Sequence, residues 1–199
     1  MSDGLTLRRA ALLAAALLAL GACARSAPET SNRMCPCEEG DSKPVDTLLL
    51  AWLSKARTLH HLADLAEDEG SIDKAIAPLE QLVGGTLPRG QPAEAAEVMA
   101  DTHARLAELR TRRGDYAKAD QDVASGLKFA PSPTYFRGHL LEVRGLIYQK
   151  EGDELAKAGK ASEAKLAREK SLAASVEAMR IQDEVIKSTL GDAGPAKRD

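Results

Sequence analysis

Aromatic side chains are almost missing from this chain of 199 residues, which holds one Trp, three Tyr and two Phe. A core built around large rings is therefore excluded. Ala and Leu have to fill the interior, which suits helices that approach closely through small side chains. A strong excess of either charge is missing too: 27 Lys and Arg against 30 Asp and Glu leave a formal net charge of −3. That mild acidity argues against nucleic acid as a partner. Catalytic signatures are absent as well. There is no Gly-rich phosphate loop, no HExxH, no GxSxG and no clustered triad. Two of the four His, His60 and His61, are adjacent and diverge by about 100° on a helix, so they do not hold one ion together. His103 and His139 stand alone and are expected at a helix surface or partly buried. The chain reads as a non-enzyme.

One long apolar run exists. Residues 10–20 are uninterrupted Ala and Leu, preceded by Arg8 and Arg9. The run is too short for a comfortable membrane span and has the plan of a bacterial export signal over residues 1–22. It ends in Leu20-Gly21-Ala22-Cys23, which resembles the lipobox of bacterial lipoproteins. The resemblance implies a diacylglycerol on the Cys23 thiol, cleavage before it, and an acyl chain on the new amino terminus. No other cofactor is expected. Paired arginines also fit the twin-arginine route, but the rest of that motif is poor, which favours general secretion. Loss of Asp3, Arg8 and Arg9 takes the net charge from −3 to −4. Ala24, not Asp, follows the anchor. By resemblance to sorting in enterobacterial lipoproteins this implies the outer membrane, facing the periplasm.

Residues 23–44 read as a flexible tether. Pro28, Pro36, Pro44, several Ser and the acidic run from Glu38 to Asp41 leave no apolar period. The tether contains Met34-Cys35-Pro36-Cys37. Cys35 and Cys37 can be read as a two-thiolate site for a soft metal, with Met34 as a thioether ligand, or as a strained redox pair. They can also be two exported thiols with no selected role. With no His or further Cys nearby, a structural zinc site is incomplete.

The helical part, residues 45–190, is about 145 residues and long enough to bury a sizeable core. Asp46 or Thr47 can cap its start. Leu49, Leu53, Ala56, Leu59, Ala63 and Ala66 recur at three- and four-residue steps, with Trp52 near that face. Gly70-Ser71 breaks the helix. Ile72, Ala75, Ile76, Leu79, Leu82 and Val83 form the facing one, with a kink, or loosened first turns, expected at Pro78. After Gln91-Pro92 the stripe is Ala95, Met99, Thr102, Leu106 and Leu109. Gly114 and Asp115 then end one helix and cap the next. A helix with Val123 and Leu127 runs on until Pro131. Phe136, Leu140, Val143, Ile147 and Leu155 follow. Leu172, Val176, Met179 and Val185 are the expected core face of the last helix. Residues 191–199 read as a disordered tail.

The segment 113–131, with Gly114, Asp115, Tyr116, Ala119, Gly126 and Pro131, resembles the second half of a tetratricopeptide repeat (TPR). Asp120 and Asp122 depart from that family's apolar choices. The turn glycines Gly70, Gly114 and Gly159 are separated by 44 and 45 residues. The family's period is about 34, so each unit is longer by about ten residues, mostly in a first helix of roughly 22–25. The resemblance implies an all-α fold of antiparallel helical hairpins, about three TPR-like repeats, with the long last helix as a cap.

The third turn has two phases. Leu141, Gly145, Tyr148, Gly152 and Asp153 also fit the pattern, seven residues earlier. Five after Gly152 stands Lys157, where the family has a small residue; five after Gly159 stands Ala164, matching Ala75 and Ala119. The turn at Gly159 is preferred, with helices over 135–158 and 161–187. A single long helix through both glycines is the third possibility.

In the TPR family, ligands lie in a groove lined by the first helices. Carried over by position, the groove holds Arg57, His60, Asp64 and Asp68 with His61 beside them, then Asp101, Glu108 and Arg112 with Arg105 beside them. Mixed charge suits a peptide or protein segment. The alternative is a solvated face with pairs such as His60–Asp64 and Glu108–Arg112 at i,i+4. The reading is a lipid-anchored envelope scaffold or assembly factor with an envelope protein or peptide as partner, a plan shared with pilotin-like lipoproteins. The alternative is a metal or redox carrier that uses Cys35 and Cys37.

Overall fold

The computed structural model describes residues 46–192. The expected signal sequence, the Cys23 anchor, the tether with Cys35 and Cys37, and residues 193–199 of the expected tail lie outside these residues. Among the described residues all regular structure is helical: α1 (Thr47–Asp68), α2 (Ile72–Val83), α3 (Ala93–Arg113), α4 (Tyr116–Gly126), α5 (Tyr135–Lys157) and α6 (Ala161–Asp192). None is long and apolar enough to cross a membrane. α1, α3 and α5 have 22, 21 and 23 residues, within about one residue of the sequence expectation.

Each odd-numbered helix packs on the even-numbered one after it, and α3 packs on α1, α2 and α5. The three short turns between partners share one geometry. Gly70, Gly114 and Gly159 have φ of 74°, 84° and 75°, a left-handed conformation that only glycine adopts without strain. The amide after each glycine donates to the carbonyl five residues back: Ser71 to Ala66, Asp115 to Arg110 and Lys160 to Leu155, at 2.8, 2.8 and 2.9 Å. The helix-ending carbonyls are thereby satisfied.

The caps differ from expectation. Asp46 does cap α1, its carboxylate accepting from the Leu48 and Leu49 amides at 3.0 Å. Ser71 and Asp115 hold the N-cap positions of α2 and α4, but neither side chain makes a cap bond. The Asp115 carboxylate instead accepts from Arg113 at 3.1 Å. α2 continues through Pro78 to Val83. α4 stops at Gly126, well before Pro131, and a turn through Phe129 finishes the segment.

Most of the expected core is buried. Ala56, Leu59, Ala63 and Ala66 of α1 pack with Ala75, Ile76, Leu79 and Leu82 of α2, and Trp52 is half-buried beside Leu82. All five expected positions of α3 are buried. Leu140, Val143 and Ile147 of α5 join Ala100, Ala104 and Ala107 of α3 and Val123 of α4 in the largest cluster. The expectation fails in α6. Leu172, Val176 and Met179 are exposed, Val185 alone of the expected four is half-buried, and Ala164, Ala167, Ala174, Ala178 and Ile181 face inward.

The reason lies in α5. Gly138, Gly145 and Gly152 fall seven residues apart on its buried face. A Cβ at these three positions would come within 3.1 Å of Gln182, 2.7 Å of Ser175 and 3.3 Å of Ala167. That surface accepts only small partners at close range, so the Ala and Ser stripe of α6 wins the contact over its bulky stripe. Gly152 is therefore a packing residue inside a continuous α5, and the chain reverses at Gly159.

Candidate partner groove

The residues carried over to the groove sit on α1 and α3. His60 Nε2 lies 2.9 Å from the Thr102 hydroxyl oxygen. That hydroxyl donates its one proton to the Val98 carbonyl at 2.6 Å. It therefore accepts from His60, which places the ring proton on Nε2. Burial lowers the His60 pKa, with Asp101 and Asp64 opposing the shift and Arg105 reinforcing it.

Below this contact the two helices are joined by charge. The Arg105 guanidinium donates to the Asp64 carboxylate and to Glu67 at 2.6 Å. Arg112 donates to the other oxygen of Glu67 at 2.5 Å. Glu67 is thus held by two arginines. Burial works against its charge, but the Arg105 and Arg112 hydrogen bonds outweigh burial and hold its pKa below the ordinary carboxylate range. Burial also opposes the Arg105 charge, and its bonds to Glu67 and Asp64 keep its pKa above the ordinary value. The i,i+4 pairs expected within helices are not formed: Asp64 and Arg112 pair across helices.

Glu108 differs from its neighbours. Its side chain is open to water yet crowded by protein, with His139 of α5 near enough to act on its charge. Among the described residues it makes no hydrogen bond or ion pair. Burial pushes its pKa up; the nearby His139 and Arg105 pull it down, while Asp101 and Glu67 push it further up. His139 of α5 stacks against Tyr135, with ring centroids 6.0 Å apart. Arg57, His61 and Asp68 are exposed and pair with none of the described residues.

The structure therefore brings His60, Asp64, Asp101, Arg105, Glu108 and Arg112 together on adjoining faces. Arg57 and His61 line an open cleft along α1 together with His60 and Asp64, and Asp68 faces solvent. Three contributors were missed from sequence: Glu67, Thr102 and His139. Glu67 lies three after Asp64 and so on its face, a usable signal. Thr102 reads as part of an apolar stripe, and nothing in the sequence marks His139.

A second polar set lies inside the fold. His103 and Asp122 are 8% and 7% exposed. Asp122 accepts from the Arg110 guanidinium, which also reaches Glu80 of α2. His103 packs along Phe129 with centroids 5.9 Å apart, and its Nδ1 is 3.9 Å from Asp122. Asp120 accepts from Arg144 Nε at 2.7 Å and from the Tyr148 hydroxyl at 3.0 Å, both on α5. The two aspartates that depart from the TPR pattern thus tie α4 to α3 and to α5. Among the described residues no cluster of three or more His, Cys, Asp or Glu is placed to hold a metal ion.

No protein-family model, curated protein or solved structure matches this chain.

Proposed function

We propose that the chain is a lipid-anchored scaffold or assembly factor of the bacterial envelope, and that the α1–α3–α5 groove holds a protein or peptide segment. The observation that carries this reading is the pinning of the groove wall. Arg105 and Arg112 of α3 clamp Asp64 and Glu67 of α1, so the side chains around them are held in place before a partner arrives. Preorganisation of that kind lowers the entropic cost of binding. The exposed Arg57 and His61 and the lone carboxylate of Glu108 supply mixed charge along its length.

The helix pairs read as TPR-like hairpins with elongated first helices. Three identical glycine turns support this, as do the small residues five after each one: Ala75, Ala119 and Ala164 are all buried. The anchor reading rests on Leu20-Gly21-Ala22-Cys23 after an apolar run. Acyl chains at Cys23 would concentrate the groove at one membrane surface, raising the effective concentration of a membrane-bound partner.

The test is crosslinking in intact envelopes with the full chain as bait, beside Cys23→Ser and the groove variant Arg57→Glu/Glu108→Lys. A specific envelope protein is expected with the native chain, with loss in both variants. Cys23→Ser should also lose label from radioactive palmitate. Recovery of the same proteins with all three baits, or of none with the native chain, overturns the scaffold reading.

A further inference from the structure

The outer face of α6 carries a second apolar stripe. Leu172, Val176, Met179, Ile186 and Leu190 are between 51% and 68% exposed. With Asp183 they follow alternating steps of four and three residues over the whole run from 172 to 190. This is the 3.5-residue period of a helix seam that packs against another helix. The inward face of α6, made by Ala167, Ala174, Ala178 and Ile181, points the opposite way and is already filled by α5. α6 thus has two apolar faces, and one has no partner among the described residues. Five such side chains in line make a patch on the order of 500 Å², the size that marks contact surfaces.

We propose that this face is the contact between two copies of this chain, with their α6 helices packed antiparallel about Ile181. The inference does not depend on the groove reading. Its first support is register. The six seam positions lie two, five and nine residues to either side of 181. An antiparallel pair centred there sets Leu172 opposite Leu190, Val176 opposite Ile186, and Met179 opposite Asp183, with every seam position used.

The second support is the charge in the middle. In a parallel pair, Asp183 would meet Asp183 of the other copy in the seam, an unpaired burial of two like charges. In the antiparallel pair, Arg180 of one copy stands level with position 182 of the other. That is one residue, about 1.5 Å along the axis, from Asp183, within reach of its carboxylate. Arg180 already lies at this edge of α6, held by Glu177 at 2.8 Å and Glu184 at 3.2 Å. A wholly apolar partner helix would leave Asp183 without such a cation.

Other occupants fit less well. Residues 24–44 contain three prolines and no apolar period, so they offer no matching stripe. The exposed Leu62 and Leu65 of α1 lie beside Pro78 in a shorter apolar cleft without the seven-residue pattern. Two α6 faces together bury about 1,000 Å², near the lower limit for a specific interface, so the expected dimer is reversible.

The test uses the full chain with Cys35→Ser and Cys37→Ser, expressed in membranes as two differently tagged copies. One carries Val176→Cys and the other Ile186→Cys. Mild oxidation is expected to join the two tags, and to give no product from Val176→Cys with itself. Each single-cysteine strain alone reports any product formed through Cys23. Arg180→Asp and Asp183→Arg, each alone, are expected to lower the yield about tenfold, and the two together to restore it. The altered positions face outward, and unchanged far-UV circular dichroism checks that the helices persist. Joining of Val176→Cys to itself, joining of either cysteine only to another protein, or no joining at all would each overturn the proposal.

Discussion

A methyl group placed on Gly145 would stand 2.7 Å from the hydroxyl oxygen of Ser175. The same stretch of α6 reaches α5 through Ser171, whose hydroxyl donates to the Gly145 carbonyl at 2.8 Å. The two helices meet there backbone to backbone.

Replacement of Gly145 should therefore depend steeply on size. Gly145→Ala gains about 0.5–1 kcal/mol of helix propensity and needs only rotation of Ser175, so its net effect should be within about 1 kcal/mol. Gly145→Leu has to lever α6 off α5 and should lose about 2–3 kcal/mol. Urea unfolding followed by circular dichroism measures both. Equal losses for the two would contradict the close contact.

Arg110 is the hydrogen-bonded cation of the buried Asp122, with the His103 ring 3.9 Å from its other carboxylate oxygen. Arg110→Met strands a buried carboxylate and should cost about 3 kcal/mol. Adding Asp122→Leu removes that carboxylate and should recover most of the loss, although Glu80 also loses its contact with Arg110. A double-mutant cycle on the unfolding free energy reads the coupling. Additive single losses would mean that the two charges do not depend on each other.

Two groove carboxylates should respond to acid with opposite sign. The folded pKa of Glu67 is depressed, since its Arg105 and Arg112 bonds outweigh burial. Its stabilisation is present above the unfolded carboxylate value and lost as pH falls through the folded one. The folded pKa of Glu108 is raised by burial, so its ionised form opposes folding at neutral pH and that opposition fades as pH falls through the folded value. Glu67→Gln should destabilise at pH 7 and Glu108→Gln should stabilise. Both differences should shrink toward acid. A stability profile from neutral pH down through the carboxylate range checks the signs.

The turn glycines give a further test. Gly70→Ala, Gly114→Ala and Gly159→Ala force a side chain into left-handed backbone and should each lose about 1 kcal/mol. Gly152→Ala, within α5, meets Ala164 O and Ala167 Cβ at 3.3 Å but gains helix propensity, so its loss should be smaller. Thermal midpoints of the four variants would rank them. A larger loss at Gly152 than at Gly159 would contradict the reversal at Gly159.

Helix number and turns were legible because they rest on local chemistry. Gly followed by a polar residue, and small residues five later at Ala75, Ala119 and Ala164, carry their meaning in a few neighbouring positions. The face of α6 was not legible. A bulky stripe at Leu172, Val176 and Met179 looks like core unless Gly138, Gly145 and Gly152 are read as the surface it would have to meet. That comparison joins two segments about 30 residues apart, with no local sign that they touch. The groove was legible in part for the same reason. Position on a helix face puts Asp64, Arg105 and Arg112 together, but the bonds that Arg105 and Arg112 make depend on how α1 lies along α3. Asp120 and Asp122 looked like faults in a pattern because their partners, Arg144 and Arg110, belong to neighbouring helices.

Across both boundaries between helix pairs the charges run one way. α1 and α2 offer carboxylates at Asp64, Glu67, Asp73 and Glu80, and α3 answers with Arg105, Arg112, Arg113 and Arg110. α4 offers Asp120, and α5 answers with Arg144. The order of the pairs is thereby written as a polarity, acid leading and base following. That polarity also fixes which pair can follow which. Aligned on the turn glycines, Thr111, Ala117 and Ala124 of the middle pair stand where the first pair has Glu67, Asp73 and Glu80, so a second copy of α3 placed after the middle pair would find none of these three acids for its arginines. The three pairs are therefore not interchangeable units: each is matched by charge to the neighbour it already has.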